Sequence, residues 1–422
     1  MNRLPIYFQP RLLLIAVLGF YSGLPLALTA GTLTAWLSDE GVDRAAIGLF
    51  AAIATPYTLK FLWAPLLDGV RVPVLHRLLG RRRAWLLLTQ VLLGAAITAM
   101  ALANPAQGAA LTALVGVVVA ALSATQDTVI DAYRVERLAA DEQGAGAAMA
   151  TGGYRIGMLI SGAGALWLAD TLGWETTYAA MGVLAGSAML VTLLMRSTDT
   201  PELEQRLPHS VGEFIRGSVI APFADFMTRP FWLGVLAFVV LYKLGDAFMG
   251  IMFNPFLLDL GFAKTEIAKI VKLYGFAATL IGTFLGGWLV VRWGMFRTLL
   301  LTGFVHMLTN LMLVVQAHLG ADHHFLIASI TLENLSGGMS TAAFIAYLSA
   351  LCRKHYTATQ YALLASFSAF GRTLLSTPSG WLAKTIGWEG FFAIASLMAL
   401  PGLALLLWLE RHARAERNRH EA

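Results

Sequence analysis

Asp127 and Asp131 stand four residues apart in the stretch Ala124-Thr-Gln-Asp-Thr-Val-Ile-Asp-Ala-Tyr133. On a helix that spacing sets both carboxylates on one face, about a turn apart. The stretch closes an apolar run, Leu111 to Leu122, of the kind that crosses a membrane. A carboxylate in such a helix costs roughly 2.5–3.5 kcal/mol on insertion scales, so it faces a cavity or a partner. Burial favours its neutral form and a neighbouring cation its charged form. A carboxylate that alternates between those settings carries a proton; one that never leaves its partner is half of a structural ion pair. Asp131, nearer the basic end of the helix at Arg134, leans to the structural role.

Other polar groups share that depth. Lys60 precedes Asp68 by eight residues, ~12 Å of helix, and Asp127 precedes Arg134 by a similar length, so Lys60 and Asp127 can pair. Gln126 extends the polar stripe. Arg155 and Arg372 also fall near mid-membrane, where a guanidinium either clamps an anionic ligand bidentately or neutralises the aspartates. Further along come Lys243 and Asp246, Lys269 and Lys272, and Glu333-Asn334. Asp246 and Glu333 are fallback proton sites, and Lys269 can snorkel to the interface. His306 and Asn310, one turn apart, read as helix-packing hydrogen bonds. Tyr21-Ser22-Gly23-Leu24-Pro25 interrupts the first apolar run; Pro25 permits a kink that opens backbone acceptors near Gly23. Tyr21, Tyr57 and Tyr154 can meet a ligand's hydroxyls or pack as aromatics.

These residues need helices to hold them, and the composition supplies membrane helices. Of 422 residues 57% are hydrophobic and 13% charged, against about 25% charged in soluble domains. A net charge of +5 suggests nucleic acid only until the charges are placed. The single cysteine, Cys352, excludes an intramolecular disulfide and a cysteine metal cluster. No hydrolase triad, phosphate-binding loop, zinc spacing or flavin fingerprint is present, so neither an enzyme, a cofactor nor a metal is expected.

Apolar runs of about 20 residues give twelve spans: 11–37, 45–67, 84–103, 109–133, 145–169, 175–195, 229–258, 265–291, 298–317, 324–350, 358–383 and 389–409. The start of the chain reads as the first span, not as a cleaved signal. With both termini in the cytoplasm, 21 of the 30 basic residues fall in inner segments and 3 (Arg44, Lys264, Lys384) in outer ones. That asymmetry satisfies the positive-inside rule and removes the case for nucleic acid. Trp174 and Trp388 fall at outer ends as interface anchors.

The halves repeat. Gly173-Trp174-Glu175 recurs as Gly387-Trp388-Glu389, with Arg83 and Gly157 matching Arg297 and Gly371 at the same offset of 214. Gly41 and Ile47 match Gly261 and Ile267 at 220. The domains expected are therefore 1–195, a cytoplasmic linker 196–228 with Phe214, Ile215, Ile220, Phe223 and Phe226 on a surface helix, and 229–422. Two parallel six-helix repeats resemble the major facilitator superfamily, an all-α polytopic fold. Asp68 and Gly80-Arg81-Arg82-Arg83 after the second span, with Arg297 in the second half, resemble that superfamily's Gly-x-x-x-Asp-Arg-x-Gly-Arg-Arg gating loop. The alternative is topogenic charge alone. Ala64 replaces the motif's glycine, and Asp68 stands twelve residues from Gly80 instead of three.

Gly19-Phe-Tyr-Ser-Gly-Leu-Pro-Leu-Ala-Leu-Thr29, Lys60-Phe-Leu-Trp-Ala-Pro-Leu-Leu-Asp68, Gly80-Arg-Arg-Arg83, Ala124–Tyr133, Gly144-Ala-Gly-Ala-Ala148 and Gly153-Tyr-Arg-Ile-Gly157 occur in this order. Together they resemble the AmpG muropeptide permease family, densely over residues 11–185 and thinly beyond. The resemblance implies import of 1,6-anhydro-muropeptides from periplasm to cytoplasm with protons as the driving ion, by a monomer in the inner membrane among its lipids. For such a carrier the buried carboxylates Asp127 and Asp131 are the first candidate proton sites, with Glu333 and Asp246 as fallbacks, and the resemblance to the superfamily loop implies Asp68, Arg81, Arg82, Arg83 and Arg297 as the gate. The substrate set is Tyr21, Gly23, Lys60, Gln126, Tyr154, Arg155, Lys243, Lys272, Asn334 and Arg372. Competing readings are a multidrug-type proton antiporter, an acetyl-CoA-transporter-like carrier and a membrane sensor that transports nothing.

Overall fold

The computed structural model describes residues 5–103, 105–198 and 210–421, without the side chains of 44–46, 51, 106–107, 264, 272 and 416–421. Among the described residues, eight helical segments are long and apolar enough to cross a membrane. They supply α1 (Pro10–Asp39), α3 (Arg81–Met100), α4 (Gly108–Arg137), α6 (Trp174–Leu194), α7 (Trp232–Asp259), α8 (Thr265–Trp293), α9 (Met295–Leu319) and, from Ser379–Ala415, the end of α11 and most of α12. Four more polar or broken helices complete the twelve: α2 (44–69), α5 (143–172), α10 (323–350) and α11 (357–386), with α12 at 388–421. Trp167, Val183 and Trp381, each more than 65% exposed, are among many large apolar side chains left at the surface, a density that suits lipid better than water.

The helices break where their residues require it. α1 continues through Pro25 and bends instead at Ala30 (φ −124°, ψ −106°). The expected opening of the backbone beside Gly23 is therefore not found. A Cβ at Gly23 would strike the carbonyl of Tyr154, and one at Gly19 that of Ala150. In return α5 presents Gly153 and Gly157 to Ala16 and Phe20. Four glycines let α1 and α5 touch backbone to backbone, as small residues do between membrane helices. Gly23 thus packs α1 against α5.

By packing, the chain forms two compact units. One comprises Met1–Ala139, Met149–Ala224 and Ala350–Ser366; the other Ala140–Ala148, Asp225–Ser349 and Phe367–Ala422. The first encloses an apolar core around Leu28, Trp36, Leu93 and Tyr178. The second encloses one around Phe248, Phe256, Phe391 and Phe392.

The sequence repeat is also a repeat of conformation. Gly41 and Gly261, Gly80 and Gly294, and Gly173 and Gly387 all take positive φ, between 71° and 93°, a region closed to most side chains. Trp174 donates to Asp39 (3.0 Å) and Trp388 to Asp259 (3.2 Å). The Trp36–Trp174–Tyr178 ring cluster recurs as Phe256–Trp388–Phe392. Both tryptophans therefore fasten helix ends, beyond the anchoring expected of them.

The described part of the linker, 210–227, is helical, opening at Ser210, which accepts from the Glu213 amide. A wide turn over Ile215–Ile220 shifts its register. Ser218, Pro222 and Phe226 face inward, whereas Ile215, Ile220 and Phe223 are exposed.

Candidate functional site

In the first unit α4 carries the polar stripe. Asp127, 8% exposed, accepts a hydrogen bond from Ser22 of α1 at 2.5 Å. Lys60 is the cation whose field bears most on Asp127. The two nevertheless form no ion pair within 4 Å, and the Lys60 ammonium bonds to no described residue, which corrects the pairing expected from their depths. Tyr57 and Tyr154 also lie within the field of Asp127, and Tyr154 within those of Asp131 and Arg155. Trp63 donates to Thr125 at 3.0 Å and holds the flank of the stripe.

Two members of the expected substrate set are engaged by the protein. Pro25 has no N–H, so the carbonyl of Tyr21 lacks its helical donor. Gln126 supplies one, from Nε2 at 3.1 Å, leaving its Oε1 buried without a partner. The hydroxyl of Tyr21 is bonded to Ser187 at 2.9 Å. Asp131 pairs with Arg134 at 3.4 Å (i, i+3), and Arg134 lies over the ring of Tyr361.

Arg155 is different. It is half-buried and makes no ion pair with Asp127 or Asp131, nor a hydrogen bond to any described residue. Its Nε is buried with no partner in the protein. Buried donors are nearly always satisfied, and the few that are not call for an explanation.

The second unit holds a more connected cluster. Lys243, buried, donates to Asp246 (3.0 Å) and Thr341 (3.3 Å). The other carboxylate oxygen of Asp246 meets Nε2 of His306 at 2.9 Å, and Nδ1 of His306 meets Ser336 at 2.9 Å. Gly337 lies against the imidazole, where a Cβ would approach Cε1 to 3.0 Å. Glu333 accepts from Asn334 (2.7 Å), whose own oxygen accepts from Thr279 (2.9 Å). Glu333 also lies in the fields of His306, Asp246 and Lys243. His306, read from the sequence as a packing residue, thus joins α7, α9 and α10 through the carboxylate named as a fallback proton site. Arg372 donates from Nε to the Ser368 carbonyl of its own helix and lies in the field of Asp246 without pairing. Lys269 is exposed. Lys272 lies outside the described side chains.

At the end of α2 sits the charge network expected of a gate, with altered membership. Arg82, 1% exposed, pairs with Asp68 (2.6 Å) and Glu136 (2.5 Å); Arg81 reaches Glu136 at 3.4 Å. Asp68 then accepts from the Thr359 amide (2.8 Å) and hydroxyl (2.7 Å) at the start of α11, where an acidic cap complements the free N–H groups of a helix. Glu136 and Thr359 were missed by sequence reasoning. Arg83 belongs elsewhere: it donates to the carbonyls of Thr192 and Leu193 at the end of α6. Arg297 is exposed and forms no ion pair among the described residues. The second-half counterparts of Asp68 by offset, Gly282 and Trp288, are not acidic, so the network has no copy there. At the end of α8, Gly144 packs against Val290 and Gly287 instead.

A twelve-helix all-α membrane fold in repeated halves, with charges buried in each and this network at one helix end, defines a secondary transporter. The chain belongs to the Major Facilitator Superfamily, whose model matches residues 15–376 and again 247–422. It is 43% identical over 411 residues to the anhydromuropeptide permease of Escherichia coli (strain K12), covering 96% of this chain and 80% of that protein. It is 37% identical over 408 residues to the putative transporter AmpG 4 of Rickettsia conorii (strain ATCC VR-613 / Malish 7), covering 96% and 97%. Within the superfamily it is a member of this AmpG-type permease family; its relatives are transporters, not enzymes. Among solved structures, the proton:xylose symporter XylE superposes with a TM-score of 0.68 at 15% identity, covering 94% of each chain. The Escherichia coli fucose:proton symporter FucP superposes with 0.67 at 14%, covering 96% and 99%. At those identities the likeness concerns the fold.

Proposed function

We propose that the protein imports 1,6-anhydro-muropeptides across a bacterial inner membrane, driven by protons, as a monomer with both termini cytoplasmic. Residues 1–195 and 229–422 act as the two moving halves, with 196–228 between them. Asp127 takes up the coupled proton; burial favours its neutral form, and the Ser22 hydroxyl and the Lys60 ammonium favour its charged one. Arg155 reads the carboxylate of the substrate's peptide, with Lys60 and Tyr154 beside it. The single observation that carries this reading is Arg155, a half-buried guanidinium that no aspartate of its own unit engages. Asp246 and Glu333 serve the second half, with Lys243, Asn334, Arg372 and Lys272 as its polar contacts. Asp68, Arg81 and Arg82 form the gate, joined by Glu136 and Thr359.

The energetics permit coupling. One charge crossing ~150 mV supplies about 3.4 kcal/mol, enough for roughly a few-hundred-fold accumulation. The test is flux of labelled GlcNAc-anhydroMurNAc-peptide into proteoliposomes. Uptake above equilibrium only under an inward proton gradient supports the proposal. Efflux under that gradient, or accumulation indifferent to it, contradicts the proposal.

A further inference from the structure

The polar chain through His306 lies wholly within the second unit, on α7, α9 and α10. Lys243, His306 and Ser336 are all buried. Oδ2 of Asp246 accepts from Lys243 at 3.0 Å, and its Oδ1 lies 2.9 Å from Nε2 of His306. With both oxygens accepting, Asp246 offers the ring no hydrogen, so Nε2 carries its own.

Nδ1 has a different kind of neighbour. It lies 2.9 Å from the Ser336 hydroxyl, which is also 2.9 Å from the Glu333 carbonyl and 2.7 Å from the Thr309 hydroxyl. Thr309 in turn reaches the His306 carbonyl at 2.9 Å. A hydroxyl gives one hydrogen and accepts two. With Nδ1 bare, Ser336 donates to it and accepts from Thr309. With Nδ1 protonated, the ring donates to Ser336, whose hydrogen turns to the Glu333 carbonyl. Both ring nitrogens are therefore partnered in either form, and only hydroxyl rotations separate the two.

A second proton on the ring is a buried positive charge, which needs a partner. Asp246 supplies it, set between Lys243 and the imidazole. Around them, Glu333 of α10 lies in the fields of His306, Asp246 and Lys243, and Arg372 of α11 in that of Asp246. Tyr242 of α7 gives its hydroxyl hydrogen to the Leu299 carbonyl and accepts from Ser340. We propose that His306 is a proton-binding site of the second unit, with Nδ1 taking up the proton, Asp246 as its counter-charge and Ser336 as the rotor that accommodates both forms. An ionisable group within a membrane helix marks a functional site by default. The inference adds a second proton site to the proton-driven carrier proposed above and rests on that reading for its use, though not for its test.

That test is NMR of the full chain in detergent with isotope-labelled histidine, from about pH 9 to about pH 5, a range that spans histidine ionisation. The signals absent from His306→Gln identify the residue, and those displaced in Asp246→Asn identify it independently if the glutamine variant does not fold. Nε2 should carry hydrogen throughout, and Nδ1 should gain one as the pH falls. Ser336→Ala, which removes the acceptor that a protonated Nδ1 needs, should keep Nδ1 bare across the range. Ser336→Thr retains the hydroxyl and should behave as wild type. Nδ1 that stays bare, or stays protonated, at every pH in the wild type overturns the proposal, as does proton uptake that Ser336→Ala leaves unchanged. No substrate enters the measurement, so its outcome is separate from whether muropeptides are transported.

Discussion

Gln126 donates its side-chain amide to the carbonyl of Tyr21, the carbonyl that Pro25 leaves without its helical donor. The bond is 3.1 Å long and joins α4 to α1 beside Asp127. Gln126→Leu should therefore strand a buried acceptor and lower stability by about 1–3 kcal/mol. Pro25→Ala restores an N–H to that carbonyl, so the double variant should lose less than the two single changes together. Thermal unfolding of the four proteins in detergent measures the coupling. Additive losses would mean that Gln126 serves something other than the proline's missing bond.

Lys243 and Asp246 make a comparable test in the second unit. Asp246→Asn leaves Lys243 buried with only Thr341 and a neutral amide, and breaking such a pair costs about 3–5 kcal/mol. Lys243→Met with Asp246→Asn removes both charges and should be the milder change. Unfolding midpoints that fall further in the double variant would refute the pairing.

At the gate, Asp68→Asn should slow the exchange between conformations while sparing equilibrium affinity, because the carboxylate binds Arg82 and caps α11. Glu136→Gln should be costlier to stability, since Glu136 serves Arg81 and Arg82 together. Single-turnover exchange, read beside binding titrations, separates these effects. Weakened binding with normal exchange would place Asp68 in the substrate site.

The orientation is open to direct labelling. With Cys352→Ser as background, Ala321→Cys should react with an impermeant maleimide from the periplasm, and Lys354→Cys only once the membrane is opened. Both positions are exposed. The reverse pattern would invert the topology.

Much of this architecture could be read before any coordinates. The two offsets, 214 and 220, reappear as paired positive-φ glycines and paired Trp–Asp bonds. The buried stripe on α4 follows from the spacing of Asp127 and Asp131. Partner choice was harder, because it depends on which helices face each other. Glu136 lay among topogenic arginines and looked like one charge more, although an acid at a basic helix end was a usable signal. The bond of Gln126 to the carbonyl orphaned by Pro25 is legible only once α1 and α4 are known to be neighbours. Arg297 matched Arg83 in sequence, but neither joins the ion pairs around Asp68. His306 was judged by its helix alone, and its bond to Asp246 spans sixty residues.

Asp127 and Arg155 carry the two central roles proposed for the transporter. Arg155→Lys keeps the charge and loses the planar fork, so it should weaken binding of peptide-bearing substrate more than of the bare anhydro-disaccharide. Equal weakening would make the arginine structural.

The most direct measurement is proteoliposome transport by Asp127→Asn, which preserves shape and hydrogen bonding but cannot ionise. It should exchange labelled for unlabelled muropeptide at equal pH on both sides and fail to accumulate it under an inward proton gradient. Uphill accumulation by that variant would contradict the assignment and send the proton through Asp246 or Glu333.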